Sequence, residues 1–256
     1  MEYQTIKGEK VPSLGLGTWR LSGEECTGAV ERALALGYRH IDTAQMYNNE
    51  GEVGRGIRNS GVERGEIFLV TKVWPSDFSY EDVIRATRES LRKLLTDHVD
   101  LLLMHWPNPH VPLDETLGAM RELQEEGSVR HVGVSNFPAS MVEEAAQHAT
   151  IFCNQVEYHP YNVQDELVEQ ARKRDYLLTA WRPIARGAVL NDGTLEEIGE
   201  AHGKTPAQVA LRWLVQQEKV AAIPKATSEA HLKSNLDVFD FELGDDEMER
   251  ISGLRR

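Results

Sequence analysis

The chain has 256 residues, a formal net charge of −13 at pH 7 and two cysteines. A disulfide framework or a cysteine-rich metal site needs more cysteines than this, and sequence-independent binding to nucleic acid needs a basic surface. No apolar run approaches the roughly 20 residues of a membrane helix, and the first residues lack the character of a secretory signal. We therefore predict a cytoplasmic protein without nucleic-acid or membrane partners. Its acidic surface favours a monomer.

The predicted elements begin with a hairpin over Met1–Pro12, which has Lys7-Gly8-Glu9-Lys10 between two short strands and could plug the bottom of a barrel. After it, a unit of short apolar run, loop and longer amphipathic segment occurs eight times. The eight runs, predicted to be strands, are Leu14–Gly17, Arg39–Asp42, Ile67–Lys72, Val99–His105, Val129–Ser135, Ile151–Glu157, Tyr176–Ala180 and Val220–Pro224. The predicted helices cover residues 23–36, 50–59, 80–95, 113–126, 139–148, 164–174, 194–202, 206–217 and 228–236. Leu243–Leu254 predicts one more amphipathic helix outside the repeat.

Short, continuously apolar runs are typical of parallel strands that are buried on both faces. Eight strand–helix units in about 250 residues match the (β/α)8 barrel, so we predict one α/β barrel domain over residues 1–256. An open doubly wound sheet is the alternative, but it usually has a glycine-rich phosphate-binding turn after its first strand. The turn found here, Gly15-Leu16-Gly17-Thr18-Trp19-Arg20, does not have that pattern.

Polar side chains gather at the carboxyl ends of the predicted strands, where barrel enzymes place their chemistry. Asp42, Lys72 and His105 end the second, third and fourth runs. A lysine near a carboxylate is either a strand-end ion pair or a reactive group, and a lone histidine at a strand end is more often structural. Tyr47 is close enough in sequence to Asp42 to reach the same rim, where a lysine cation would lower the pKa of its phenol and make it a general acid. No histidine has the spacing of a zinc motif, so we predict no metal site.

Several motifs, in this order, resemble those of the aldo-keto reductases, in particular short prokaryotic members similar to diketogluconate and methylglyoxal reductases. The resemblance spans residues 5 to about 253. The motifs are Gly15-Leu16-Gly17-Thr18-Trp19, Gly37-Tyr38-Arg39-His40-Ile41-Asp42-Thr43-Ala44-Gln45-Met46-Tyr47, Leu69-Val70-Thr71-Lys72-Val73-Trp74, Val99-Asp100-Leu101-Leu102-Leu103-Met104-His105-Trp106-Pro107, Gly133-Val134-Ser135-Asn136-Phe137, Asn154-Gln155-Val156-Glu157-Tyr158-His159-Pro160 and Ile223-Pro224-Lys225.

The resemblance implies a (β/α)8 barrel that binds NADPH without a Rossmann domain and reduces aldehydes or ketones. The catalytic tetrad of the family falls on Asp42, Tyr47, Lys72 and His105. In the implied mechanism the nicotinamide delivers hydride to the carbonyl carbon while Tyr47 protonates the oxygen. Lys72, held by Asp42, lowers the tyrosine pKa. His105 orients the carbonyl and stabilises its developing charge.

The resemblance also implies the cofactor contacts. Ser135, Asn136 and Gln155 match the residues that hold the nicotinamide carboxamide, and Trp181 takes the aromatic position that stacks on the nicotinamide. Arg182 stands where the family usually has a small residue, and it reaches either a phosphate or solvent. The other matching positions are Thr18, Asp42, Pro183, Ile184, Arg186, Lys225, Thr227, Ser228, His231 and Asn235.

His231 departs from the family pattern, because an arginine usually stands six residues after the lysine that matches Lys225. Arginine is a permanent cation that holds phosphate with two bonds. A mostly neutral histidine holds the 2′-phosphate of NADPH more weakly. We therefore predict a preference for NADPH together with unusually good use of NADH.

The substrate pocket implied by the resemblance is lined by Trp19, Tyr47, Trp74, His105 and Trp106. Aromatic walls around a polar corner suit a small aldehyde or ketone. The loop from Pro107 to Pro112 is short and little sequence follows the last helix, which predicts an open site. We expect broad specificity for reactive aldehydes, for α-dicarbonyls such as methylglyoxal, and for keto-sugar acids.

Two alternatives remain at this stage. One is a cofactor-binding regulatory module of the same fold with little turnover. The other is a lyase or aldolase that uses Lys72 as a Schiff base, although this would leave Tyr47 and the cofactor motifs unexplained.

Overall fold

The structure is a computed structural model that describes residues 1–255, so Arg256, the last residue of the predicted domain, lies outside the described part. The chain begins with a hairpin of two antiparallel strands, β1 (Tyr3–Ile6) and β2 (Glu9–Pro12). The predicted four-residue connection was too long. Glu9 and Lys10 pair with Ile6 and Thr5, because Lys7 and Gly8 both adopt positive φ, the geometry of a two-residue hairpin turn.

Eight parallel strands follow in one sheet, and each pairs with the next along the chain. They are β3 (Leu16–Gly17), β4 (His40–Asp42), β5 (Phe68–Val73), β6 (Val99–Met104), β7 (Val129–Ser135), β8 (Ile151–Glu157), β9 (Leu177–Trp181) and β10 (Val220–Ala222). Leu14 forms a parallel bridge with Ala222, and the Gly15 amide donates to the Ala222 carbonyl at 2.9 Å. The first and last strands therefore meet, and the sheet closes into a barrel.

The predicted (β/α)8 barrel, with its hairpin and its additional C-terminal helix, is confirmed. The helices are α1 (Gly23–Ala35), α2 (Glu50–Ser60), α3 (Tyr80–Leu94), α4 (Leu113–Glu125), α5 (Ala139–Ala145), α6 (Asp165–Arg174), α7 (Gly193–His202), α8 (Pro206–Val215), α9 (Glu229–Leu236) and α10 (Asp245–Ser252). The fifth predicted helix was too long, since α5 ends at Ala145 and turns follow it. Within residues 1–255, no helix has both the length and the hydropathy for a membrane span.

The alternation of side chains along each strand positions the polar residues. Phe68 and Val70 belong to an apolar cluster together with Ile6 and Val11 of the hairpin, apart from the larger cluster that packs with the helices. Because side chains two residues apart share a face of a strand, Lys72 extends the row of Phe68 and Val70 at the carboxyl end. The same alternation places His105 in the row of Leu101 and Leu103.

Close packing between neighbouring strands leaves no room for a side chain at Gly133 in β7. A Cβ atom there would lie 2.5 Å from the Cys153 carbonyl oxygen and 2.8 Å from a Leu103 methyl. We expect Gly133→Ala to lower the free energy of unfolding by about 1–3 kcal/mol or more, because the backbone of β8 must shift. Gly65→Ala is the matched control, since its Cβ would meet nothing within 4 Å. Urea unfolding measures both variants, and equal stability of the two would contradict the packing argument.

Candidate active site

A buried ion pair stands at the carboxyl end of the barrel. Lys72 is fully buried, and its Nζ donates to Asp42 Oδ1 at 2.6 Å and to the Thr43 carbonyl at 2.8 Å. The other carboxylate oxygen of Asp42 accepts from Gln155 Nε2 at 2.7 Å. Burial by itself disfavours the ammonium, but the Asp42 and Tyr47 groups outweigh it, so the pKa of Lys72 lies above its usual value. The lysine is therefore a cation at neutral pH.

Tyr47 reaches this pair from a short 3-10 helix, Gln45–Tyr47, that follows β4. Its hydroxyl lies 3.5 Å from Lys72 Nζ. The expectation that Lys72 lowers the pKa of the phenol overlooked burial. Burial raises the pKa of Tyr47, and this effect exceeds the lowering by the Lys72 cation. The phenol therefore keeps its proton at neutral pH in the structure.

His105 lies directly after β6 and contacts two aromatic rings edge-on. Its ring centroid is 5.7 Å from that of Tyr47 and 5.1 Å from that of Trp74. Burial, with a smaller contribution from the Lys72 cation, lowers the pKa of the imidazole to about 3. The ring is thus neutral at physiological pH. Its Nδ1 atom is buried and has no hydrogen-bond partner in residues 1–255.

One cavity of about 490 Å³ opens above these groups. Fourteen of the twenty-one predicted site residues line this cavity, which joins Asp42, Tyr47 and His105 with the positions predicted to hold the nicotinamide and the diphosphate. Its lining consists of Gly17, Trp19, Arg20, Asp42, Met46, Tyr47, His105, Trp106, Ser135, Asn136, Gln155, Trp181, Arg182, Pro183, Ile184, Arg186, Gly187, Ile223, Pro224 and Lys225.

A network of hydrogen bonds fixes the polar side chains of the site. Asn136 Nδ2 donates to the His105 carbonyl and to Ser135 Oγ, at 3.0 Å each. Trp181 Nε1 donates to Asn136 Oδ1 at 3.0 Å, and Ser135 Oγ donates to the Gln155 carbonyl at 2.8 Å. This network joins the ends of four consecutive strands and sets the orientation of the Trp181 ring.

Some predicted site residues do not line the cavity. Thr18 is fully buried, and its hydroxyl donates to the Asp42 carbonyl at 2.9 Å, so it supports the backbone beneath the site. Trp74 contacts His105 edge-on but is not part of the lining. Thr227 and Ser228 directly precede α9, His231 and Asn235 lie within it, and none of the four lines the cavity.

Ser228 has a structural part at that helix, because its hydroxyl accepts from the His231 amide at 3.2 Å and caps α9. The Thr227 carbonyl accepts two hydrogen bonds from the Arg32 guanidinium of α1, at 2.9 and 3.1 Å. The segment that was predicted to hold the 2′-phosphate is therefore tied to α1 by a cation that the motif comparison did not identify.

The Arg182 side chain stays at the site and does not extend freely into solvent. Its guanidinium carbon lies 4.8 Å from the centroid of the Trp181 ring and 5.3 Å from that of Trp19. Arg20, which the sequence analysis missed, lies 4.3 Å from the same Trp19 ring. The position of Arg20 directly after Trp19 was the signal in the sequence that could have identified it. The positive φ of Arg20 and of Arg182, which brings the backbone of both residues to the site, cannot be read from the sequence.

Comparison with known proteins agrees with this geometry. The model of the aldo/keto reductase family matches residues 13–256. The chain is 41% identical to a glyoxal reductase of Bacillus subtilis over 97% of the chain and 91% of the relative. It is 39% identical to a methylglyoxal reductase of Escherichia coli O157:H7 over 95% of the chain and 93% of the relative. The crystal structure of a protein provisionally assigned as 2,5-diketo-D-gluconic acid reductase B matches with a TM-score of 0.98. That protein is 49% identical in sequence, and the match covers 100% of this chain and 92% of that protein's chain.

The low pKa of His105 predicts how one part of the stability depends on pH. Between the ordinary histidine pKa of about 6.5 and the lowered value, the unfolded chain binds a proton that the folded chain does not. The stabilisation is thus complete above that window and is lost as the pH falls through it. In His105→Gln we expect the free energy of unfolding to fall less steeply below pH 6.5, by up to about 1.4 kcal/mol per pH unit. Urea unfolding at a series of pH values tests this, and parallel curves for the two proteins would contradict it.

Proposed function

The chain belongs to the aldo/keto reductase family, and we propose that it reduces small aldehydes and ketones with NADPH as the hydride donor. The observation that carries the proposal is the meeting of a lysine–aspartate pair, a protonated tyrosine and a neutral histidine at one end of one cavity. We also propose a cytoplasmic location and a monomeric state, and the acidic surface favours the monomer.

The cavity lining fits a reduced nicotinamide dinucleotide. Trp181 offers a flat ring, Asn136 and Gln155 offer amides, and Arg186 and Lys225 offer cations for phosphate groups. When bound, the nicotinamide supplies a hydride for the carbonyl carbon. We propose that Ser135, Asn136, Gln155 and Trp181 hold the nicotinamide, and that Pro183, Ile184 and Arg186 lie along the diphosphate.

Tyr47 is the proposed proton donor. Its raised pKa keeps the phenol protonated until the carbonyl oxygen gains negative charge and becomes a stronger base. The Lys72 cation, 3.5 Å from the phenol oxygen, then stabilises the phenolate that remains. Asp42 holds the lysine in place. One hydride and one proton thus convert the carbonyl to an alcohol.

His105 is the proposed hydrogen-bond donor to the carbonyl oxygen. A neutral imidazole can donate one N–H without losing a proton to the product. A cationic histidine so close to Lys72 would be unfavourable, which agrees with the direction of its pKa shift. A donor of this kind is worth about 3–4 kcal/mol to a developing oxyanion.

The proposed substrates are reactive aldehydes, α-dicarbonyls and keto-sugar acids. Trp19 and Trp106 line the cavity beside the tetrad, and Trp106 is 42% exposed, so one wall of the site is open. The relatives named as glyoxal and methylglyoxal reductases support the small dicarbonyls within this group.

Removal of the Tyr47 hydroxyl tests the proton donor. We expect Tyr47→Phe to lower kcat for methylglyoxal reduction by about 10²–10⁴-fold, since the variant lacks the proton that the carbonyl oxygen must gain. The affinity for NADPH should change little. Tyr3→Phe on the exposed hairpin is the control. Retention of more than a tenth of the wild-type kcat in Tyr47→Phe would refute the assignment.

Substitution of His231 tests the cofactor preference. Titration of tryptophan fluorescence with NADPH and with NADH should give tighter binding of NADPH, because Lys225 remains available to its 2′-phosphate. In His231→Arg the ratio of the two Kd values should widen about tenfold or more, through an added charge-assisted hydrogen bond.

Gln147→Arg, which adds the same charge on the exposed turn after α5, is the control for net charge. Equal affinity for the two nucleotides, or a preference for NADH, would contradict the NADPH assignment. Discrimination by many thousandfold in the wild-type protein would contradict the predicted use of NADH.

A further inference from the structure

The cavity is positive at its mouth in a chain that is strongly negative overall. Its lining includes the cations Arg20, Arg182, Arg186 and Lys225, whereas Asp42, the carboxylate of the described lining, is neutralised by Lys72. The net charge of the whole chain is −13. The phosphates of the proposed cofactor account for Arg186 and Lys225. Of the two arginines beside Trp19, Arg182 is paired with Glu157 at 3.2 Å, and neither is assigned to a cofactor phosphate.

Arg182 is held on several sides and retains an unused donor. Its Nη1 donates to Glu157 Oε1 at 3.2 Å, and the guanidinium packs over the Trp19 and Trp181 rings. Its Nε atom is buried and has no hydrogen-bond partner within residues 1–255. A buried N–H without an acceptor costs free energy. Arg182 also lines the cavity, where the remaining N–H groups of its guanidinium are the donors that an anion would meet.

The backbone and the neighbours of Arg182 favour this side-chain position. Arg182 has φ of 52° and Arg20 has φ of 63°, a region that residues other than glycine seldom occupy and that is common at functional sites. Glu157 is itself supported, because its backbone carbonyl accepts from Asn162 Nδ2 at 2.8 Å and from Gln164 Nε2 at 2.9 Å. The Glu157 carboxylate thus comes from a well-braced strand end.

The location of Arg182 distinguishes a substrate anion from a cofactor anion. Trp181 is the ring proposed to stack on the nicotinamide, and Trp19 is a wall of the proposed substrate pocket. The Arg182 guanidinium thus lies between the ring proposed for the nicotinamide and a wall of the proposed substrate pocket. Arg186 and Lys225 lie later in the chain, at the positions proposed for the phosphates.

We propose that Arg182, positioned by Glu157, is a specificity-determining residue that binds a carboxylate of the substrate, so that the preferred substrates are small carbonyl compounds carrying a carboxylate. This inference rests on the proposed carbonyl reduction. The carboxylate takes no part in the chemistry: the carbonyl gains a hydride from NADPH and a proton from Tyr47, and the products are the alcohol and NADP⁺. Arg20, over the same Trp19 ring, adds to the positive potential that attracts the anion.

The test compares two aldehydes with the same aromatic scaffold, the anionic 4-carboxybenzaldehyde and its neutral methyl ester. We expect wild-type kcat/KM to be at least about tenfold higher for the acid, and Arg182→Gln to lower the acid-to-ester ratio by about 10- to 100-fold through the loss of a charge-assisted contact. Arg58→Gln, an exposed arginine in the last turn of α2, removes the same charge elsewhere and should leave the ratio unchanged. A ratio near one in wild type, or an equal ratio in wild type and Arg182→Gln, would overturn the proposal.

A binding measurement makes the test independent of turnover. Calorimetric titration with 4-(hydroxymethyl)benzoate should show binding to the wild-type protein that is at least tenfold weaker in Arg182→Gln and unchanged in Arg58→Gln. Failure of the wild-type protein to reduce either aldehyde would refute the proposed function, whereas reduction of both without a preference for the acid refutes the carboxylate site alone. A weaker NADPH affinity in Arg182→Gln, with unchanged binding of the benzoate, would assign the arginine to the cofactor and overturn the inference.

Discussion

The interaction on which the rest of the site depends is the buried pair of Lys72 and Asp42. Two charges removed from water are costly, and their mutual attraction offsets that cost only when the remaining hydrogen-bonding capacity is also satisfied. Here the second oxygen of Asp42 accepts from Gln155, and Lys72 also donates to the Thr43 carbonyl. The pair joins the neighbouring strands β4 and β5, and Gln155 connects it to β8 across the barrel. Loss of either charged partner would leave a buried charge without compensation.

The same cation determines the protonation of its neighbours. It opposes a charge on His105, in the same direction as burial, and the imidazole stays neutral. It favours a charge on Tyr47, but burial is the larger effect and the phenol stays protonated. The resting site thus has one permanent ion pair and two neutral hydrogen-bonding groups. That arrangement is suited to a reaction in which negative charge forms on an oxygen atom and is then neutralised.

The wider cavity has an electrostatic character that differs from the rest of the molecule. A strongly acidic surface would repel anionic ligands, whereas the arginines around Trp19 and Trp181 place cations at the opening, one of them paired with Glu157. Left-handed backbone conformations at Arg20, Arg182 and Arg186 recur in the loops that carry these charges. Such conformations are uncommon for residues with a side chain. They indicate that the loop geometry is maintained by the contacts of the mouth and not by local preference.

The fold class and the order of the strands and helices could be read from the sequence, because apolar periodicity is a local property of the chain. The strand-end positions of Asp42, Lys72 and His105 could be read in the same way, whereas the catalytic roles of these residues and of Tyr47 are implied by the family resemblance and stay predictions. The prediction from sequence was wrong about the pKa of Tyr47, since burial depends on everything that packs around the phenol. It also placed Thr18 and Trp74 against ligands, although one supports the backbone of β4 and the other contacts His105. The partners of Arg182 come from β8 and from the turn after β3, which are remote in sequence. Only closure of the barrel brings them together, so the position of that charge could not be read from the sequence.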